Sequence, residues 1–148
     1  MEAAERFELA LDEPFEPGGN ISWVAPARRA DGTEAVLKVQ YPHPESDPEA
    51  DGLRAWDGRG AVRLLDHDPD RCALVLERCR PGRELLAEGG TREAVAAGAR
   101  VGRVLHEAPP PEGLPTLASV MALWADELEP LLAEAPYVDP GLERLALE

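Results

Sequence analysis

Lysine occurs once in this chain of 148 residues, at position 38; the other fourteen of its fifteen cationic side chains are arginine. Lys38 stands in the middle of Ala35-Val36-Leu37-Lys38-Val39-Gln40-Tyr41, a mostly apolar run that suits a strand buried in a sheet. A compact ammonium on a flexible stem fits a phosphate oxygen at close range, which a planar guanidinium does not. The plainer reading is an edge-strand lysine whose stem lies over apolar surface while its head reaches water.

Few other residues invite chemistry on composition alone. Cys72 and Cys79 fit a reducing cytosol and offer no metal site. Seven residues apart near one strand, they would face opposite ways and not pair. The acidic start, Met1-Glu2-Ala3-Ala4-Glu5-Arg6, lacks the basic and apolar regions of a signal peptide, so a cytoplasmic protein is expected. No apolar run approaches the roughly 20 residues of a membrane span. The net charge is −14, and the segments before and after Gly82 each carry −7. Such a surface repels nucleic acid and favours cationic small molecules, although solubility alone also accounts for it.

The elements that must position Lys38 are read from the periodicity. Phe7-Glu8-Leu9-Ala10-Leu11 alternates like a half-buried strand, a loop with Pro14, Pro17, Gly18 and Gly19 follows, and Ile21-Ser22-Trp23-Val24-Ala25 resumes strand character. A hairpin over Arg28–Thr33, with Asp31-Gly32 as its turn, leads into the Lys38 strand. Glu49–Trp56 reads as a short helix, with Asp47 as cap and Pro48 at its first position. Ala61–Leu65 is read as a fourth strand, His67-Asp68-Pro69-Asp70 as a turn, and the nearly all-apolar Ala73–Glu77 as a fifth, central strand. The expected fold class is therefore α+β: a five-stranded antiparallel sheet over residues 7–77 with one helix between its third and fourth strands.

Beyond it the period becomes helical. Arg83–Glu88 makes at most two turns, and Thr91–Glu107 is a helix capped by Thr91. Pro109-Pro110-Pro111 blocks any continuation. Thr116–Glu129 is a helix striped by Leu117, Val120, Met121, Trp124 and Leu128; Pro130 should kink or restart it, and Leu142–Glu148 is read as the start of another. Gly98 and Gly102 point to close helix packing, and the three tryptophans to core or half-buried positions.

This order, with Pro17-Gly18-Gly19-Asn20-Ile21-Ser22-Trp23-Val24 as a glycine loop and Val36-Leu37-Lys38-Val39 as the lysine strand, resembles the small lobe of protein-kinase-like phosphotransferases. The runs Asp31–Lys38, Leu53-Arg54-Ala55-Trp56, Gly58–Leu65 and Leu74–Arg78 are similar to the aminoglycoside phosphotransferases, in their streptomycin- and hydroxyurea-kinase branch. The resemblance covers residues 7–107 well and is weak beyond Pro109. It implies a nucleotide-binding N-lobe over residues 1–80, with a hinge and the first helices of a second lobe over 81–148. It also implies ATP and magnesium as cofactors and a small-molecule hydroxyl as acceptor.

On that resemblance Lys38 would hold the α- and β-phosphate oxygens. Glu49 would pair with Lys38 from the helix, with Glu45 as the alternative and a plain solvated acid as the bland reading of either. Gly18 and Gly19 would let backbone amides approach the phosphates, although a two-glycine turn explains them without function. The backbone of Glu77 and Cys79 would bind adenine at the hinge; otherwise Cys79 is a small buried residue. His106 is read as a packing histidine.

The catalytic loop of these kinases reads like H-G-D-x-x-x-x-N, followed by a magnesium aspartate. None of His43, His67 and His106 precedes Gly-Asp, and Asn20 is the one asparagine, so no catalytic residue and no metal ligand is assigned in this chain. The expectation is the nucleotide-binding part of such a kinase, silent by itself, whether as a truncated product, an excised piece or a diverged remnant. The alternatives are a non-catalytic interaction module and one half of a split kinase. The apolar stripe of the Thr116–Glu129 helix predicts a homodimer.

Overall fold

The computed structural model describes residues 2–16, 20–43 and 48–133. Gly18, Gly19, Glu45, Asp47 and the Leu142–Glu148 segment lie outside them. The chain divides into two compact units, Met1–Pro111 and Glu112–Glu148.

The first unit holds the sheet: β1 (Ala10–Leu11), β2 (Ser22–Arg28), β3 (Glu34–Gln40), β4 (Leu64–Asp68) and β5 (Ala73–Glu77). The five strands are antiparallel, as the alternation predicts; their order is β1-β2-β3-β5-β4, and the first is confined to Ala10–Leu11 rather than Phe7–Leu11. The β2–β3 hairpin closes where Thr33 N–H donates to Asp31 Oδ1 at 2.8 Å and Gly32 takes φ +86°, a conformation that needs glycine.

Both faces of the sheet are covered, each by one helix. On one side α1 (Glu2–Arg6) lays Ala3 and Ala4 against Ala27, Ala35, Leu37, Ala73 and Val75. On the other α2 (Glu49–Trp56) lays Ala50 and Leu53 against Leu74 and Leu76. The apolar run Ala73–Leu76 of β5 is explained by this sandwich, because a strand buried on both faces cannot alternate. Leu37, Leu74 and Val75 are fully buried, and each such side chain contributes about 1.5–3 kcal/mol of burial.

Several expectations need correction. Helix α1 has no counterpart in the sequence reading, since five residues with two small apolar contacts carry no readable period. It is fastened from outside: Arg6 approaches the buried Asp68 at 3.9 Å, and Leu9 N–H donates to Ala4 O at 2.9 Å. The fourth strand runs over Leu64–Asp68, not Ala61–Leu65, so His67 and Asp68 belong to the strand and only Pro69–Arg71 forms the turn. Ala61 and Val62 pack beside α2 without pairing. As an edge strand, β4 tolerates charged residues that a central strand would not.

Helix α3 (Leu85–Glu107) contains the expected Thr91–Glu107 piece and, of the expected Arg83–Glu88 piece, only the part from Leu85 on; the two are joined across a kink at Gly90 with φ +78°. Trp56, at the end of α2, donates Nε1–H to Leu105 O at 3.1 Å, and Gly60 lies where a Cβ would come within 3.1 Å of Leu105. Among the described residues nothing stands within 4 Å of a Cβ placed at Gly98 or Gly102, so they do not mark close packing there. His106 is exposed rather than packed, its Nδ1 2.6 Å from Gly102 O.

The second unit holds α4 (Leu117–Ala133), whose start is capped by Thr116 Oγ1 accepting from Ser119 N–H at 3.1 Å. Pro130 lies inside the helix without ending it. Leu117, Met121, Leu123 and Trp124 are exposed, so Trp124 is not the packing residue expected, whereas Trp23 and Trp56 are half-buried. Among the described residues no helix is long and apolar enough to cross a membrane.

Candidate functional site

Alternation along β3 sends Ala35, Leu37 and Val39 to the α1 face and leaves Val36, Lys38 and Gln40 on the α2 face. Antiparallel pairing fixes this register: Val36 is opposite Leu76 and Lys38 opposite Leu74. Helix α2 begins at Glu49 over the same face.

Lys38 Nζ donates to Glu49 Oε1 at 2.8 Å and to Oε2 at 2.7 Å. The two side chains are 22% and 30% exposed, so the pair is shielded from bulk water yet open on one side. Gln40 Nε2 donates to the same Oε2 at 2.6 Å. The structure thus brings together Lys38 and Glu49, and adds Gln40, which the sequence reading passed over. The signal was available: Gln40 is two residues from Lys38 and must share its face.

Beside the pair, Phe15, Val36, Val62, Leu76, Glu77, Arg78, Cys79 and Gly82 line a cavity of about 200 Å³. Its floor is the apolar pair Val36 and Leu76, about 7 Å along the strands from Lys38. Glu77 N–H donates to Arg63 O at 2.9 Å, and its carboxylate accepts from Arg63 N–H at 3.0 Å. That N–H is therefore committed, and a base could use at most the carbonyl of Glu77. Cys79 is exposed at the rim as a free thiol, not a buried small residue. The Arg78 guanidinium lies over the Phe15 ring at 4.6 Å, with its Nε buried and without a hydrogen-bond partner among the described residues.

The connector leaving β5 is held to the hairpin by charge. Arg80 Nε donates to Glu34 Oε2 at 3.1 Å, and a second Arg80 nitrogen reaches Oε1. The Arg80 guanidinium lowers the Glu34 carboxyl pKa below the ordinary value, and Glu34 raises that of Arg80. Gly82 takes φ +64°, and a Cβ there would stand 2.9 Å from Cys79 O. No three His, Cys, Asp or Glu side chains converge to hold a metal ion among the described residues.

Residues 10–135 match the family model described as aminoglycoside/hydroxyurea antibiotic resistance kinase. Streptomycin 6-kinase of Streptomyces glaucescens is 38% identical over 144 residues, covering 97% of this chain and 46% of that protein. Streptomycin 6-kinase of Streptomyces griseus is 40% identical over 124 residues, 84% of this chain and 40% of that protein. Hydroxyurea phosphotransferase of Kitasatospora aureofaciens is 45% identical over 123 residues, 82% of this chain and 36% of that protein. The chain thus spans less than half the length of these curated relatives. No solved structure matches it. With its model covering most of the sequence and relatives of this identity on either side, the chain belongs to the aminoglycoside/hydroxyurea antibiotic resistance kinase family.

Proposed function

We propose that this chain is the nucleotide-binding part of a small-molecule kinase, with a kinase-like N-lobe over residues 1–80 and the hinge and first helices of a second lobe over 81–148. The observation that carries the proposal is the Lys38–Glu49 pair, 2.7 Å apart on the same sheet face as an apolar cavity of about 200 Å³. The cavity takes the base, flat between apolar side chains and against the backbone of Glu77 and Cys79. Lys38 reaches the α- and β-phosphates while Glu49 holds its ammonium in place. Gly18 and Gly19 are proposed to cover the phosphates from the β1–β2 connection.

Phosphate bound there supplies the transferable group, and this chain's residues bind and orient it. No aspartate in H-G-D context is present in these 148 residues to orient an attacking hydroxyl. Transfer to a streptomycin-like or other cationic hydroxyl acceptor therefore needs groups this sequence does not contain, and the chain alone is expected to bind without turnover. The relatives' names support an antibiotic-type acceptor, and the net charge of −14 is compatible with a cationic one.

Calorimetric titration with MgATP and with a non-hydrolysable analogue tests this reading. Saturable one-site binding that Lys38→Met weakens about tenfold or more is expected, as for a lost charge-assisted contact. Absence of binding, or binding indifferent to Lys38→Met, overturns it.

A further inference from the structure

We infer that Gln40 is a positioning residue for the Lys38–Glu49 pair. It acts through the carboxylate and does not touch the nucleotide. Glu49 Oε2 accepts from both Lys38 Nζ at 2.7 Å and Gln40 Nε2 at 2.6 Å. An ionised carboxylate is acceptor only, so the amide must present its NH₂ and not its oxygen. Gln40 is itself well anchored: its backbone is opposite Ser22 in β2, and its N–H donates to Cys72 O at 2.9 Å. The donor reaching Glu49 thus comes from a fixed piece of sheet.

A carboxylate gripped by one flexible ammonium can swing about its terminal torsion, which is broad. A second donor from a different root removes that freedom. Being neutral, Gln40 does so without repelling the ammonium, as an arginine or lysine there would. The arrangement also divides labour when phosphate arrives. Lys38 can turn protons toward phosphate oxygens while Glu49 keeps a partner in Gln40, so the start of α2 stays docked on the sheet. For its effect on phosphate binding, this role rests on the nucleotide-binding reading above.

The single lysine makes a direct test available. In protein labelled with ¹⁵N-lysine, one side-chain ammonium signal exists, that of Lys38, and its proton exchange reports how firmly Glu49 holds it. Gln40→Met keeps the length of the side chain and removes the donor. Exchange at Lys38 is expected to quicken about three- to tenfold in the nucleotide-free chain, and the MgATP dissociation constant to rise by a similar factor, as for one lost hydrogen bond. A merely structural glutamine would lower the urea midpoint and leave Lys38 exchange unchanged; that result overturns the assignment. Should Gln40→Met not fold, Gln40→Leu takes the same measurement. Because exchange is read without nucleotide, failure of the parent chain to bind MgATP would sink the functional reading and leave Gln40 to be judged separately.

Discussion

Replacing Lys38 and Glu49 singly and together measures whether the pair at the centre of the site is an interaction or an accident of proximity. Exposed ion pairs are worth about 0.2–1 kcal/mol, and truncating one member of a fully buried pair costs about 3–5 kcal/mol. With side chains 22% and 30% exposed, Lys38 and Glu49 stand between these limits. Gln40 makes the two truncations unequal. Lys38→Met leaves the carboxylate with the Gln40 amide, so about 1 kcal/mol is expected. Glu49→Ala strands two donors, the ammonium and the amide, so about 2–3 kcal/mol is expected. The double variant no longer contains a stranded ammonium, and should cost about 2 kcal/mol, a coupling of about 1–2 kcal/mol. Urea unfolding of all four proteins at one pH, with slopes checked for constancy, reads these values. A cycle that closes within about 0.3 kcal/mol, the usual additivity of remote sites, would refute the claim that the two side chains hold each other.

Other expectations follow from the geometry. Gly82→Ala forces a side chain into φ +64° and against Cys79 O, so a loss of about 1–3 kcal/mol and weaker MgATP binding are expected; unchanged thermal unfolding would show that the connector bends freely. Thr33 N–H lowers the carboxyl pKa of Asp31, and Arg80 that of Glu34; burial pushes Asp68 up, but Arg71 and Arg6 outweigh it, so all three are depressed when folded. The folded chain then binds fewer protons than the unfolded one, so this stability is present above about pH 4–5 and is lost as pH falls through the depressed values. Urea midpoints that stay level from about pH 5 to pH 2 would contradict it. On α4, Leu117, Met121 and Trp124, which share one face at i, i+4 and i+7, are exposed at 77%, 50% and 47%. A second copy of this chain is the proposed cover, and sedimentation at micromolar concentration should show a dimer; a monomer across the concentration range would count against it.

The sheet was legible because its physics is local. Alternation in residues 22–40, the Asp31-Gly32 turn and the apolar run at Ala73–Glu77 each report burial directly. What the sequence hid depends on partners far along the chain. Ala61 and Val62 look more strand-like than Asp66 and His67, yet pairing opposite Val75 and Leu74 decides the matter, with a register shift between Leu64 and Asp66. Lys38 stood out by being unique, and Glu49 by opening a helix. Gln40 carried no mark of its own, because a glutamine in a strand is ordinary until its carboxylate partner is known.

Helix α2 is fixed at both ends. Glu49 begins it against Lys38 and Gln40, and Trp56 finishes it by donating to Leu105 O in α3. Eight residues of helix make a strut about 12 Å long, too short to bend appreciably. Such a strut cannot absorb a displacement within its own length. If α3 slides or turns at Leu105, either the tryptophan hydrogen bond breaks or the carboxylate at the far end moves with it. The grip on the one lysine is therefore mechanically geared to the register of a helix none of whose residues lines the cavity.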